Sequence, residues 1–169
     1  PDGWLSSLAY KRRDLPNDTQ LIMDCGAWSY KNKDVPPVDA ESVIPQYLEL
    51  AHPGSMLIAP DHMLIDGTDT QWRRKWNQEQ ARKFIDVCPD DYTPMACIHG
   101  ETVDERLEHA QELVQLGYKY LAVGGVAARA SQRKLVIATV AALREVTWGA
   151  WLHVLGLSSP SFVREWKRL

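Results

Sequence analysis

Two aspartates stand where this chain could do acid–base chemistry. Asp24 follows the apolar run Leu21-Ile22-Met23 and precedes Cys25-Gly26, and Asp61 follows Met56-Leu57-Ile58-Ala59-Pro60. A carboxyl at the end of an apolar strand sits between core and pocket, where burial raises its pKa and backbone N–H donors lower it. Asp24 is therefore read either as a general acid/base or as the cap of the turn that follows it. If the two strands are neighbours, about 4.8 Å apart, both carboxyls face one pocket. Such a pair suits reactions at a sugar anomeric carbon. One group binds or protonates a leaving base while the other acts as base or nucleophile. The alternative for Asp61 is again a loop cap, and His62 beside it reads as a loop residue rather than a metal ligand.

Three more strand-like runs end in similar clusters. His99-Gly100 follows Met95-Ala96-Cys97-Ile98, and either ring nitrogen of His99 could hydrogen-bond a ring substrate; a histidine bonded to backbone is the alternative. Gly124-Gly125 follows Tyr120-Leu121-Ala122-Val123, and with no Cβ a flat ligand can approach the backbone there; a tight turn is the alternative. Gly156-Leu157-Ser158-Ser159 follows the run from Trp151 to Leu155 and leads into a helix start, a weak anion-site pattern. His153, inside that run, reads as a satisfied interior histidine. Lys11-Arg12-Arg13 and Arg73-Arg74-Lys75 read first as solvated faces. The second run lies between Trp72 and Trp76, which would also suit a nucleic-acid backbone.

The elements that must position these residues alternate. Short apolar runs are each followed by a helical stretch, and a further strand is expected between Trp4 and Tyr10. Continuous apolar runs suit strands buried on both faces, and strand–helix repeats imply parallel pairing. Helices are expected from near Ser42, with Pro45 in the first turn, and over Thr70 to Val87. Thr102 with Glu105 forms a capping box for a third, stopped by Gly117. Ser131 is expected to cap a fourth, and Ser159-Pro160 opens a fifth. About six strands and five helices fit an open doubly wound sheet or a β/α barrel. The glycines after Asp24 do not form a GxGxxG fingerprint, which tilts the reading to the barrel.

The chain has 169 residues and a net charge of −3, so it is not a strongly basic nucleic-acid binder overall, although a local basic patch remains compatible. Its three cysteines form no CxxC pair, so no zinc site or disulfide framework is expected, and a reduced, cytoplasmic setting fits. No apolar stretch reaches the roughly 18 residues of a membrane span, and no signal peptide is read. A complete barrel needs roughly 200 residues or more. Residues 1–169 are thus read as one incomplete (β/α)8 TIM-type barrel domain, a segment of a longer protein with about two strands lacking.

Five segments, in order, resemble a known family. Leu21-Ile22-Met23-Asp24-Cys25-Gly26-Ala27-Trp28-Ser29 is similar to the Asp-Ser-Gly-Ala/Gly segment of tRNA-guanine transglycosylases. It is closer still to that of their relatives that insert 7-deazaguanines into DNA. Ile58-Ala59-Pro60-Asp61, Cys97-Ile98-His99-Gly100, Leu121-Ala122-Val123-Gly124-Gly125-Val126 and Leu152-His153-Val154-Leu155-Gly156-Leu157 are similar to the later segments, so the resemblance covers about residues 20 to 165. It implies a (β/α)8 barrel that exchanges guanine for a 7-deazaguanine (preQ0-type) base in DNA or tRNA through an Asp-linked covalent intermediate. It implies Asp24 as general acid/base, Asp61 on the heterocycle edge, and His99 and Gly125 against the base. The family's nucleophile and zinc cysteines come later than residue 169. No cofactor is therefore expected on this chain, with zinc expected only in a C-terminal part beyond it. His99 stands where the tRNA enzymes have Gln, and Cys25 where they have Ser. The partners implied are a 7-deazaguanine base, DNA or tRNA, and a homo- or hetero-oligomer. Two alternatives are a non-catalytic barrel subunit that binds nucleic acid or a catalytic partner, and an unrelated barrel enzyme for a phosphorylated small molecule.

Overall fold

The computed structural model describes residues 3–10 and 19–169 and divides into two compact units, Pro1–Ala96 and Cys97–Leu169. In the first unit, β1 (Gly3–Ser7), β2 (Gln20–Asp24), β3 (Met56–Ile58) and β4 (Thr93–Ile98) pair in chain order, every pair parallel. Helices α1 (Val43–Leu48) and α2 (Thr70–Val87) provide the crossovers after β2 and β3. β4 runs into the second unit, which holds α3 (Val103–Gln115), β5 (Tyr120–Val123), α4 (Arg133–Val146), β6 (Trp151–Val154) and α5 (Pro160–Trp166). There β5 and β6 pair in parallel from Tyr120↔Trp151 to Val123↔Val154. Six parallel strands alternating with helices, without reversal of strand order inside either unit, are the α/β class of an incomplete TIM-type barrel. No described helix is long and apolar enough to cross a membrane.

The first unit's core explains why β2 and β3 are apolar throughout. Successive side chains of a strand point to opposite faces. Leu21, Met23, Leu57 and Ala59 join a buried cluster with Val43, Tyr47 and Phe84 of the helices. Ile22 and Ile58, which alternation puts on the opposite face, are buried as well. Asp24 shares that second face with Ile22. Tyr47 and Phe84 meet edge-on, ring centres 6.4 Å apart, and the Tyr47 hydroxyl donates to the Ile58 carbonyl at 2.6 Å. Burying two aromatics this way contributes roughly 1.5–3 kcal/mol each.

Helix boundaries follow the punctuation with two exceptions. The capping box at Thr102 forms, the Thr102 side chain accepting from Glu105 N–H and Glu105 accepting from Thr102 N–H. Asp69 caps α2 by accepting from Trp72 N–H at 2.9 Å. Ser131, however, is not the cap of α4. Gln132 takes that position without a side-chain bond, because the one-turn 3-10 helix Ala127–Arg129 carries the backbone bond from Gln132 N–H to the Arg129 carbonyl. Ser159 is the N-cap residue of α5 with Pro160 after it, yet it makes no capping bond; its hydroxyl lies 3.1 Å from that of Ser161. The second unit also carries a hollow of about 700 Å³ whose wall includes Trp148, Trp151, Trp166 and Leu169.

A paired-carboxylate candidate active site

Asp24 is the last residue of β2, and Gly26 turns the chain immediately after it. Gly26 has φ +86°, and a Cβ there would meet Ser7 Oγ and Ala9 Cβ at 3.2 Å, so a side chain would be strained in its backbone and crowded by its neighbours. The turn leads into a 3-10 helix, Ala27–Tyr30. One turn of helix then sorts its residues. Ala27 and Tyr30 point inward and are buried, while Trp28 and Ser29 are exposed at the rim. Lys31 lies over the Trp28 ring, its Nζ 3.3 Å from the centroid.

Tyr30 and Cys25 meet Asp61 inside. The Tyr30 hydroxyl donates to the Asp61 carbonyl at 3.0 Å, and the Cys25 thiol donates to Asp61 Oδ1 at 3.1 Å. Cys25 Sγ and Tyr30 Oη lie 3.0 Å apart. Asp61 lies three residues past the end of β3 and is buried. Ligand atoms of Asp24, Cys25 and Asp61 all fall within 4.8 Å of one another. The two carboxyls therefore lie close together in the first unit, as the pairing of neighbouring strands allows.

Asp24 is only partly buried, but burial, and then the nearby Asp61 carboxylate, push its carboxyl up to about 6. Gly26 N–H, donating to Oδ2 at 2.9 Å, and the Ser7 side chain pull the other way. A carboxyl poised there can give and take a proton near neutral pH, which a carboxyl at the ordinary value cannot do well. Burial, then the charges of Asp61 and Asp24, hold the Cys25 thiol well above its usual range, and burial raises the Tyr30 phenol too. Both stay protonated and serve as donors. A divalent cation could reach Asp24, Cys25 and Asp61 together, but a thiol held in its protonated form is a poor ligand.

The wall behind Asp61 is polar and buried, and sequence reasoning missed it. Arg73, Asn77 and Gln80 recur at helical spacing on α2, and all three are buried. Arg73 reads in the sequence as part of a solvated or phosphate-binding run. Its guanidinium instead donates to the carbonyls of Lys31, Met63 and Lys33 at 2.8, 2.6 and 3.1 Å. Asn77 grips His62 twice, accepting from its N–H at 2.6 Å and donating to its carbonyl at 2.9 Å. Gln80 accepts from Ala40 N–H at 2.7 Å. His62 is a loop residue, as expected, yet fully buried, with Nε2 2.8 Å from the Lys33 carbonyl and its ring edge-on to Tyr30, Trp72 and Trp76. Lys11-Arg12-Arg13 lies outside the described residues.

In the second unit, His99 is buried, its backbone N–H donating to His109 Nδ1 at 3.0 Å, and the two rings stack 6.3 Å apart. Gly124 is buried against this pair. A Cβ on it would lie 2.6 Å from Cys97 Sγ, so a side chain there would have to displace Cys97. Gly125 is exposed and left-handed, φ +72°. His153 is half-buried and stacks on Trp151 at 5.6 Å, and burial holds its pKa below the ordinary value.

No family model matches the chain. A curated relative, a DNA-guanine transglycosylase of Salmonella montevideo, is 25% identical over 170 residues, a match that covers 92% of this chain. The chain spans about 40% of that relative's length. That similarity, over most of the chain, supports for it the guanine transglycosylase superfamily that its five strand-end segments resemble.

Proposed function

We propose that this chain supplies the acid–base and base-recognition carboxyls of an enzyme that exchanges guanine for a 7-deazaguanine in a polynucleotide, DNA in the first instance and tRNA in the second. The observation that carries the reading is the convergence of Asp24 and Asp61, with Asp24 held near 6. The similarity to a DNA-guanine transglycosylase supports it and favours DNA.

In this reading Asp24 enters the cycle protonated. A carboxylate expected beyond residue 169 attacks C1′ of the target nucleotide. The C1′–N9 bond breaks, and Asp24 gives its proton to the departing guanine. A 7-deazaguanine then gives its N9 proton to Asp24, its N9 bonds to C1′, and the ester to the nucleophile breaks. Asp24 ends protonated, as it began. Asp61 accepts hydrogen bonds from the heterocycle edge, its backbone and side chain held by Tyr30 and Cys25. His99, Gly124 and Gly125 remain base contacts in this proposal, supported by their strand-end position and by the exposed backbone at Gly125.

The test is incubation of the full-length protein with labelled 7-deazaguanine and either DNA or tRNA. Incorporation into one of them, lost in Asp24→Asn, is the expected result. No incorporation into either, or an Asp24→Asn protein that matches the wild type, overturns the proposal.

A further inference from the structure

The second unit holds a buried cation that the proposed chemistry does not use. Arg106, in the first turns of α3, is only 9% exposed. Its Nη1 donates to the Gly124 carbonyl at 2.8 Å. Its Nη2 lies 3.2 Å from where a Cβ on Gly125 would stand. That nitrogen is directed to the exposed, left-handed corner of the turn after β5. A buried guanidinium is ordinarily matched by a carboxylate. Among the described residues no carboxylate pairs with Arg106. The acid nearest in sequence, Glu105, has Oε2 committed to the N–H groups of Glu101 and Thr102, at 2.8 and 3.3 Å.

A second cation stands close by. The 3-10 helix Ala127–Arg129 follows directly on the turn and ends in Arg129, which is exposed. Burial depresses the Arg106 pKa, and the positive charge of Arg129 depresses it further, against Cys97 and Glu105. Arg129 follows Gly125 by four residues, at the end of the 3-10 helix, and its charge is felt at Arg106, so two cations accompany one glycine turn. Mutual repulsion makes that arrangement unfavourable until an anion arrives, and a planar fork suits the oxygens of a phosphate.

We propose that Arg106 and Arg129 bracket the Gly124-Gly125 turn as a binding site for a phosphate group, occupied by a backbone phosphodiester of the polynucleotide. The identity of the polynucleotide rests on the function proposed above; the anion site rests on the two arginines and the turn. The site would fix the strand's register and leave sequence unread.

The test uses the full chain and three probes: a single-stranded oligodeoxynucleotide, the same oligonucleotide with uncharged methylphosphonate linkages, and inorganic phosphate. The phosphodiester oligonucleotide is expected to bind, the methylphosphonate to bind at least tenfold more weakly. Arg129→Ala should lower affinity about five- to tenfold and reduce the slope of log K against log salt by about 0.7, the value for one phosphate on a single strand. Arg106→Lys keeps the charge and a donor for Gly124, so the fold is kept while the fork is lost; its affinity should fall likewise. Equal binding by wild type and Arg129→Ala, or binding of inorganic phosphate with none of the oligonucleotide, overturns the proposal. Arg129-dependent binding of the oligonucleotide by a protein that exchanges no base upholds the phosphate site, and only the transglycosylase reading then falls.

Discussion

The thiol of Cys25 donates to Oδ1 of Asp61 at 3.1 Å, one residue after Asp24. Neighbours in sequence thus divide the work. Asp24 is raised toward neutral pH beside Asp61, and Cys25 turns inward to hold that partner carboxyl. A thiol is a weak donor, so its position matters more than its strength.

Cys25→Ser keeps a donor at that place and should leave KM for the incoming base within about threefold of wild type. Cys25→Ala leaves Asp61 Oδ1 buried without the thiol, at a cost of about 1–3 kcal/mol. Its KM should rise about tenfold while kcat changes little, because the acid–base group is untouched. Steady-state kinetics of the two variants decide it. A fall in kcat alone would mean that Cys25 does not work through Asp61.

Asp24→Asn should cost the exchange reaction 10²- to 10⁴-fold, the usual contribution of a positioned proton donor. The same change should stabilise the fold. The folded pKa of Asp24, about 6, lies above the unfolded value near 3.8. The folded state then holds the proton more tightly, and the stability contributed by Asp24 is fully present below about pH 4 and lost as pH rises through 6. The pKa difference of about 2 corresponds to at most about 3 kcal/mol. Urea melts of wild type and Asp24→Asn should coincide near pH 4 and separate up to pH 7, the variant being the more stable. Parallel curves would place Asp24 in an ordinary, solvated setting.

Asn77→Ala removes both bonds to the His62 backbone, next to Asp61. A loss of about 2–3 kcal/mol is expected from leaving a buried N–H and C=O unmatched. Asn77→Asp, which sets a buried carboxylate against the His62 carbonyl, should lose at least as much. Denaturant midpoints at constant slope check both. A change under 0.5 kcal/mol for Asn77→Ala would show that water replaces the amide.

Thr102→Ala should cost about 1 kcal/mol of stability by opening the capping box of α3. Amide exchange at Glu105 should speed up while that in β5 stays unchanged. Exchange that rises equally in both would mean that the cap supports the whole second unit.

The fold was legible because its signals are local. Apolar runs, capping residues and glycine stops each depend on a few adjacent positions, and Thr70–Val87 and the Thr102 box emerge as expected. The nearness of Asp24 to Asp61 was legible for a related reason, since the two follow adjacent parallel strands. The remainder depended on what lies across space. Arg73, Asn77 and Gln80 have the composition of a solvated helix face, and their partners are backbone carbonyls and N–H groups, which leave no mark in a sequence. Cys25 looked like a small replacement for Ser until Tyr30 and Asp61 were seen on either side of it. Arg106 gave no signal at all, because a lone arginine in the first turns of a helix is ordinary. Its distinction is a buried guanidinium that meets no carboxylate among the described residues.

The buried polar stripe of α2 has one more implication. Three side chains from a single helix clamp the stretches at Ala40, at Lys31 and Lys33, and at His62 and Met63. These stretches cannot loosen one at a time without stranding a guanidinium or an amide. On heating, they should let go together with the helix, as one cooperative event, and the setting of Asp61 should keep its shape until that moment and then be lost.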